Sequence, residues 1–380
     1  MHGLDTLRSL AILSVIAFHT WGTFTETGQG VARLGWMGVD LFFVLSGYLI
    51  GTQLLRPYLK GERPRFWDFY RRRLYRVLPA YLVVLALYFL WPMWRETPGI
   101  SPLWQFLTFT ENVFVDYAHN QAFSHVWSLC VEEHFYLLLP LIVALMMWKP
   151  SLVKTAGLLG GVVLMGICSR SFILLHTLRP LVERGEYFGV AYIEKIYYPT
   201  YTRLDGLLAG VTLALVKGFR PEWWEAVVQR GNSLLFAGTG LVGVAVWLLK
   251  DRMESVYGVP AVGTVIGFPV LSLGLGLVVA SAVSSNGLLN TIRVPGAKLI
   301  AMLAYSLYLT HKEVLHLDDR YLRAVAEKGG LEFFGVYAAT SLAVAGALYL
   351  CVERPFMVLR DRRQRQEFTL EQEIRVEPAL

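Results

Sequence analysis

This 380-residue sequence has few charged residues. Only 17% of the residues are Asp, Glu, Lys or Arg, whereas 55% are hydrophobic. A soluble globular domain typically carries about 25% charged residues. The deficit argues against an ordinary soluble protein and favours a chain that lies within a membrane.

Paired cysteines and the common soluble-enzyme signatures are also missing. The three cysteines, Cys130, Cys168 and Cys351, lie far apart in apolar runs, so we expect buried thiols and neither a disulfide framework nor a zinc site. No GxSxG, Walker, GxGxxG, HExxH or EF-hand pattern occurs, which argues against a serine hydrolase, an NTPase, a Rossmann dehydrogenase and a metalloprotease. The net charge is +6, and the basic residues lie mainly in loops between the apolar runs. We therefore expect no bound metal and no nucleic-acid partner.

Long apolar runs, in contrast, are abundant. A helix needs about 20 apolar residues to cross a bilayer. The first run has no basic residue before Asp5 and no cleavage site after it, which predicts a spanning helix and not a signal peptide. The sequence predicts an all-α integral membrane protein, a bundle of about ten transmembrane helices. The predicted spans are Leu7–Phe24, Gly35–Leu55, Val77–Trp94, Trp127–Trp148, Val153–Leu175, Leu204–Val216, Ser233–Leu249, Val262–Val283, Leu299–Leu317 and Phe333–Val352.

The distribution of Lys and Arg predicts the orientation. Basic residues crowd the loop after the second span and the region after span ten, whereas the loop after the third span has only Arg95 before span four. Because short cytoplasmic loops are enriched in Lys and Arg, both termini are expected in the cytoplasm of a cell with this protein in its inner (plasma) membrane. The loops Arg95–Val126 and His176–Thr200 would face outward. We predict a transmembrane domain over residues 1–356 and a charged, mobile cytoplasmic tail over 357–380.

Ionisable groups inside a membrane are costly and usually functional. In the first span, Arg8 and His19 are eleven residues apart, which is about three helical turns and ~16 Å along one face. A histidine satisfied by neighbouring helices is the alternative interpretation. The spacing favours a functional pair.

Two further stretches carry candidate site residues within apolar spans. Span two contains Asp40 near its outer end and the small pair Ser46-Gly47, which permits close helix packing or access for a ligand. Span four opens with Trp127 and continues through Glu132-Glu133-His134 to Tyr136. Glu132 and Tyr136 share a helix face. Two adjacent carboxylates in an apolar helix are difficult to account for by packing alone.

An arginine cluster precedes the third span. Arg72 and Arg76 would share a helix face with Arg73 beside them, and guanidinium groups bind phosphates such as those of CoA. A topology signal that contacts lipid headgroups is the alternative. Other polar residues at helix ends or within spans are compatible with simple structural roles: an ion pair between Arg203 and Asp205, and termination of span ten by Glu353-Arg354 ahead of Pro355.

Taken together, these stretches resemble the membrane acyltransferase-three family, whose members O-acetylate surface glycans and some antibiotics. The matching segments occur in the order of the family. They are Leu7–His19, Asp40–Tyr48, Arg72–Pro79, Trp127–Tyr136, Tyr305–His311 and Glu353–Phe356. The resemblance implies a ten-helix domain that uses cytoplasmic acyl-CoA to modify an acceptor at the outer face.

The resemblance also implies roles for individual residues. Arg8 and His19 match the essential Arg-x10-His pair of the family, and Glu132 matches the glutamate of its WSLxxE motif. Arg73 and Arg76 match its basic motif. His134 departs from the glutamine that is frequent there, and we expect a stand-alone member without the secreted SGNH domain that many members append.

These observations predict an acyl-CoA-dependent O-acyltransferase with His19 as general base and with Glu132 either orienting His19 or stabilising its imidazolium. The substrate-binding candidates are Arg8, Asp40, Ser46, Arg72, Arg73, Arg76, Trp127, Tyr136, Tyr305 and His311. Acetyl-CoA would act as co-substrate with no permanently bound cofactor, the acceptor would be a carbohydrate or glycoside, and the bilayer would surround the protein. An acylated His19 intermediate is an alternative mechanism. A secondary transporter or flippase is the alternative function, although no repeat between the halves is visible.

Overall fold

The computed structural model describes residues 2–20, 30–62, 64–250, 259–322 and 330–376. Nearly all regular structure in these ranges is helical, and the extended pairing found there is one isolated bridge between Ile100 and Ala122. The predicted all-α class is therefore confirmed.

Eleven helices of fifteen residues or more form the framework of these described ranges. Their bounds are α1 His2–His19, α2 Met37–Leu59, α3 Phe66–Leu90, α4 Trp127–Met147, α5 Leu152–Ile173, α6 Asp205–Phe219, α7 Gly231–Leu249, α8 Ala261–Val283, α9 Ala297–Tyr321, α10 Gly330–Leu348 and α11 Arg354–Val376. Each of the ten predicted spans coincides with one of α1 to α10, although the end of the first lies outside the described residues. Long apolar runs form helices because a helix satisfies its own backbone hydrogen bonds where no water can.

Seven helical segments of the described chain are long and apolar enough to cross a membrane. They contain α2, α3, α4, α5, α7, α8 and α10, and the last continues into α11. Helices α1, α6 and α9 are not among them. Helix α6 has only 15 residues, and the described part of α1 has 18. The chain is a multi-pass membrane protein, while the number ten and the orientation of the termini stay predictions.

The chain folds into two compact units. Unit 1 comprises residues 1–64 and 95–304, and unit 2 comprises residues 65–94 and 305–380. Unit 1 therefore contains α1, α2 and α4 to α8, and unit 2 contains α3, most of α9, α10 and α11. This division, in which α3 is separate from the helices that flank it in sequence, is not visible in the hydropathy pattern.

In unit 1, the backbones of α2 and α6 approach each other at glycines. A Cβ at Gly47 would lie 2.1 Å from the carbonyl oxygen of Leu207, and one at Gly210 would lie 2.2 Å from that of Val44. Small residues permit such approach in membranes, where packing drives helix association. The predicted close contact at Ser46-Gly47 is confirmed, and its partner is α6.

In unit 2, α11 packs against α3 and follows α10 through the π-helical turn Tyr349–Glu353. The helix continues through Pro355 to Val376. The chain thus stays helical beyond Glu353-Arg354, because proline is tolerated in the first turn of the new helix, and the end of the tenth membrane span stays a prediction. The predicted tail is likewise helical as far as residue 376.

The cysteines differ partly from expectation. All three are free thiols, and Cys130 is buried as predicted. Cys168 and Cys351 are exposed. An apolar sequence neighbourhood does not predict burial in a membrane helix, since its outer face can contact lipid instead of protein.

We predict that Gly210→Ala destabilises the protein and that Gly240→Ala does not. Both glycines lie inside helices, where alanine is ordinarily preferred by about 0.5–1 kcal/mol. At position 210 the new methyl group must displace the backbone of α2, and overpacking of this kind costs about 1–3 kcal/mol. Position 240 has no atom within 4 Å of an added Cβ. Thermal unfolding of both variants in detergent measures the difference, and equal melting temperatures would contradict the close α2–α6 packing.

Candidate functional site

Helix α1 carries the predicted Arg8–His19 pair. It is continuous from His2 to His19, so the two residues lie about three turns apart as the sequence predicted. Its buried face, Leu4, Leu7, Ala11 and Val15 among others, packs against α2. Arg8 and His19 are both half-buried.

The hydrogen bond of His19 identifies its tautomer. Nδ1 lies 2.9 Å from the carbonyl oxygen of Val15. A carbonyl oxygen only accepts hydrogen bonds, so Nδ1 must carry the proton and donate it. In the neutral ring the basic lone pair is then on Nε2. The Phe18 ring contacts the imidazole edge-on at 5.2 Å.

Glu132 on α4 is held at both of its carboxylate oxygens. The hydroxyl of Ser46 on α2 donates to Oε1 at 2.8 Å, and the hydroxyl of Tyr136 donates to Oε2 at 2.8 Å. The predicted common face of Glu132 and Tyr136 is confirmed by this contact, since residues four apart are neighbours on a helix. Three site residues predicted from two separate spans therefore form one cluster. The role of Glu132 as partner of His19 stays a prediction.

His134, the departure from the family pattern, contacts the chain before α6. Its Nδ1 lies 2.7 Å from the hydroxyl of Thr200, which also accepts a hydrogen bond from Asn112 Nδ2 at 2.9 Å. Thus His134 contributes to a polar contact among three segments of unit 1.

Asp40 and Arg203 form a buried ion pair. Arg203 donates to Asp40 Oδ1 at 2.7 Å, and both side chains are almost fully buried. The Arg203 guanidinium lies 4.0 Å from the ring centre of Phe268, 4.5 Å from Tyr197 and 5.2 Å from Trp127. Three ring faces and a carboxylate thus compensate the desolvation of one cation. The site candidates Asp40 and Trp127 both contribute to this contact.

In place of the proposed ion pair between Arg203 and Asp205, Arg203 pairs with Asp40 and Asp205 pairs with Arg170. Asp205 binds Arg170 of α5, with Arg170 Nη1 2.7 Å from Oδ2. The same Nη1 donates to the carbonyl oxygen of Thr202 at 2.6 Å, and Nε donates to that of Val265 at 3.0 Å. The sequence analysis missed Arg170. A lone arginine inside an otherwise apolar span was the available signal.

In unit 2, the arginine cluster lies on α3 as predicted. Arg76 Nη1 is 3.3 Å from Glu353 Oε1, and the hydroxyl of Ser306 donates to Glu353 Oε2 at 2.9 Å. Glu353 is buried. The sequence analysis assigned Glu353 no partner, whereas its carboxylate connects α3, α9 and the turn before α11.

The remaining site candidates of unit 2 lie on α9 and bond to backbone carbonyls. The Tyr305 hydroxyl donates to the carbonyl oxygen of Val77 at 2.9 Å. His311 is fully buried, and its Nδ1 donates to the carbonyl oxygen of Tyr308 at 2.8 Å. Their roles in substrate binding stay predictions.

The two predicted outward loops pack against each other within unit 1. Asn112 donates to the carbonyl oxygen of Tyr198 at 3.2 Å, and the backbone N–H of Tyr117 donates to Glu194 at 2.8 Å. The Tyr198 ring stacks on Trp127 at 5.1 Å. Burial raises the pKa of Tyr198 well above its ordinary range, so its hydroxyl stays protonated.

Only some of the loop aromatics can meet a ligand. Trp104 and Tyr187 are exposed, as expected for rings that stack on a sugar. Phe123 and Tyr192 are fully buried, so neither ring presents a face to an acceptor. Their apolar surfaces fill the interior of the loops instead.

Comparison with known proteins now identifies the family. The family model described as "Acyltransferase domain" matches residues 1–351. The chain belongs to this acyltransferase family. The match covers α1 to α10 and five of the six motif segments, since Glu353–Phe356 lies beyond it, and it agrees with the resemblance inferred from the motifs.

Relatives of this acyltransferase-family chain occur in Staphylococcus aureus. The O-acetyltransferase OatA of strain NCTC 8325 / PS 47 is 24% identical over 338 residues, covering 84% of this chain and 51% of OatA. A protein named "Putative O-acetyltransferase SAS0844" of strain MSSA476 is 27% identical over 379 residues, covering 94% of this chain and 57% of that protein. The chain thus spans about half the length of these relatives. No solved structure matches this chain.

We predict strong coupling between Asp40 and Arg203 in a double-mutant cycle. Removing one partner, as in Asp40→Asn or Arg203→Gln, leaves a buried charge uncompensated and costs about 3–5 kcal/mol of unfolding free energy. The double variant should cost less than the sum of the single ones. Unfolding in detergent measures all four proteins.

Two further cycles control this result. The exposed pair Arg184–Glu186, whose atoms are 2.6 Å apart, should show no measurable coupling. The cycle between Arg203 and Asp205 should give weaker coupling than that with Asp40. Stronger coupling to Asp205 would instead support the pairing that adjacency in sequence suggested.

Proposed function

We propose that this protein is a membrane-embedded O-acyltransferase. It transfers an acyl group, in the simplest case acetyl, from cytoplasmic acyl-CoA to a hydroxyl group of a carbohydrate or glycoside at the outer side of the inner (plasma) membrane. Membership of the acyltransferase family supports the reaction class. The relatives are named O-acetyltransferases, which supports an acetyl group as the group transferred and a hydroxyl group as the acceptor.

The hydrogen bond of His19 is the observation that carries this proposal. A general base for a hydroxyl group needs a neutral imidazole with an available lone pair near neutral pH. The bond from Nδ1 to Val15, 2.9 Å long, orients the ring and leaves Nε2 as the basic nitrogen. This is the role that the orienting carboxylate performs for histidine in a Ser-His-Asp triad.

In the proposed step, His19 Nε2 removes the proton from the acceptor hydroxyl. The acceptor oxygen forms a bond to the thioester carbonyl carbon, and the carbon–sulfur bond of acyl-CoA then breaks. The departing CoA thiolate takes the proton from the imidazolium, which restores neutral His19. The products are an ester and free CoA. Transfer through an acylated His19 uses the same nitrogen as nucleophile and is the alternative order of events.

Glu132 is the proposed electrostatic partner of this step. A carboxylate stabilises a nearby imidazolium ion most effectively when it is already oriented. The hydrogen bonds from Ser46 and Tyr136 restrain both of its oxygens.

The arginines of α3 are the proposed binding site for the CoA phosphates, with Arg8 as a further candidate. Guanidinium groups bind phosphate oxygens bidentately. Arg76 is 3.3 Å from the buried Glu353, so part of its charge is already compensated. We propose that Arg72, Arg73 and Arg76 bind the phosphates together.

The acceptor is expected to contact the loops of unit 1. Trp104 and Tyr187 present exposed ring faces there, with 51% and 67% of their surfaces accessible. Flat aromatic surfaces with a polar edge suit the alternating apolar and hydroxyl faces of a sugar ring.

We predict that His19→Ala abolishes acetyl transfer but retains acetyl-CoA binding. Loss of a general base typically lowers kcat by about 10²–10⁴-fold. His176→Ala is a matched control, because the exposed His176 makes the same contact, from Nδ1 to the carbonyl oxygen of Phe172 at 2.9 Å. Turnover of radiolabelled acetyl-CoA by purified protein measures the effect. Full turnover by His19→Ala would exclude His19 as the base.

We predict that Arg73→Ala weakens acetyl-CoA binding about tenfold, since a hydrogen bond to a charged group contributes about 1.5–3 kcal/mol. Arg56→Ala is the control, because Arg56 is an exposed cation of the same predicted basic region. Equilibrium binding of labelled acetyl-CoA distinguishes the two. Equal effects would support a topology signal alone, and no binding by the wild type would favour the transporter or flippase.

A further inference from the structure

A long apolar groove runs along the outer surface of α6 in unit 1. One cavity of about 280 Å³ lies between α5, α6 and α8, and another of about 380 Å³ lies between the start of α5 and the end of α6. Leu159 and Thr212 line both cavities, so the two cavities adjoin each other along α6 and together form the groove. It extends from Asp205 to Arg220, a distance of about 22 Å along the helix axis.

The wall of the groove is shaped by a glycine of α5. Gly160 lines the groove, and an added Cβ at this position would meet no atom within 4 Å. The other lining side chains are chiefly aliphatic, such as Leu208, Leu213 and Leu273. An acyl chain that crosses one leaflet extends over about 15 Å, half of the hydrocarbon core, so this groove has sufficient length for one.

A cation and two hydroxyl groups gather at one end of the groove, whereas Asp205 at the other end is paired with Arg170. Arg220 is exposed at this mouth, with its guanidinium 5.7 Å from the ring centre of Trp223. Ser151 and Thr155 add hydroxyl groups to the same cavity. Glu222 lies on the same short helix as Trp223 but does not line the cavity.

This mouth has the composition of a membrane interface. Trp148 and Trp223 are 70% and 53% exposed, and Lys154 lies over the Trp148 ring at 5.9 Å. Tryptophan is enriched at the level of the lipid headgroups, and basic residues there attract anionic lipids. By the positive-inside rule, this is the side predicted to be cytoplasmic.

We propose that the groove is a binding site for one anionic glycerophospholipid. Its phosphate binds Arg220 and the hydroxyl groups of Ser151 and Thr155, and one acyl chain lies along α6 toward Gly160. Charge complementarity selects the lipid, because Arg220 is the charged side chain that lines the cavity at this mouth and the neighbouring Lys154 is also a cation. The lining residues are separate from His19, Glu132 and the arginines of α3, so this proposal is independent of the proposed transferase reaction.

Native mass spectrometry of the purified full chain tests the proposal. The protein in mild detergent is titrated with palmitoyl-oleoyl phosphatidylglycerol or with phosphatidylcholine that has the same chains. The wild type should retain phosphatidylglycerol about fivefold better, the factor expected for one interfacial cation. Arg220→Gln should remove this preference and leave the binding of phosphatidylcholine unchanged.

Gly160→Phe should reduce the binding of both lipids, since its ring occupies the chain path. Gly161→Phe is the matched control: the same helix, the same substitution and an equally open position, but not a groove residue. A wild type without lipid preference, an Arg220→Gln protein that keeps the preference, or equal loss in both phenylalanine variants would overturn the proposal. Arg220→Gln changes an exposed residue, so its result stands even if Gly160→Phe does not fold.

Discussion

The pairing of buried charge is the constraint on which unit 1 depends. A guanidinium group transferred into a low-dielectric interior loses several kcal/mol of hydration unless partners surround it. Arg203 meets this requirement with Asp40 and three aromatic rings, and Arg170 meets it with Asp205 and two backbone carbonyls. Asp40 belongs to α2 and pairs with Arg203, which lies just before α6. Asp205 belongs to α6 and pairs with Arg170 of α5. The two pairs therefore connect the start of α6 to both α2 and α5.

The glycine contacts bring α2 and α6 into closer contact than the ion pairs do. Gly47 and Gly210 allow α2 and α6 to meet at backbone distance, and Ser46 is adjacent to that contact. Ser46 in turn donates to Glu132 of α4. The orientation of the candidate catalytic carboxylate thus depends on packing one residue away, where the glycine backbone of α2 meets the backbone of α6.

In unit 2, a single buried carboxylate likewise needs partners to compensate its desolvation. Glu353 is buried and receives Arg76 from α3 and Ser306 from α9. Arg354 and Pro355 follow Glu353 directly in the sequence. The chain nevertheless remains helical through the π-helical turn and into α11. One arginine of the cluster thereby contributes to the packing of α3, α9 and the turn before α11. The lipid groove of unit 1 is likewise separate from the candidate catalytic groups, since its wall and its charged mouth are built chiefly from α5 and α6.

The amino-acid sequence was sufficient to predict the helices, their approximate bounds, the family and most of the polar residues of the site, although Arg170 was missed. An apolar run of bilayer length rarely forms anything but a spanning helix, and a charge within it is too costly to be incidental. The contact between Glu132 and Tyr136 was also predictable, since helical periodicity is a local property. The partners of the remaining polar residues, in contrast, became visible in the folded structure alone. Arg203 pairs with Asp40, 163 residues away, and not with Asp205 two residues away. Pairing between helices depends on which faces approach, and that is determined by glycine contacts and side-chain volume across the whole unit, which no local pattern of the sequence records.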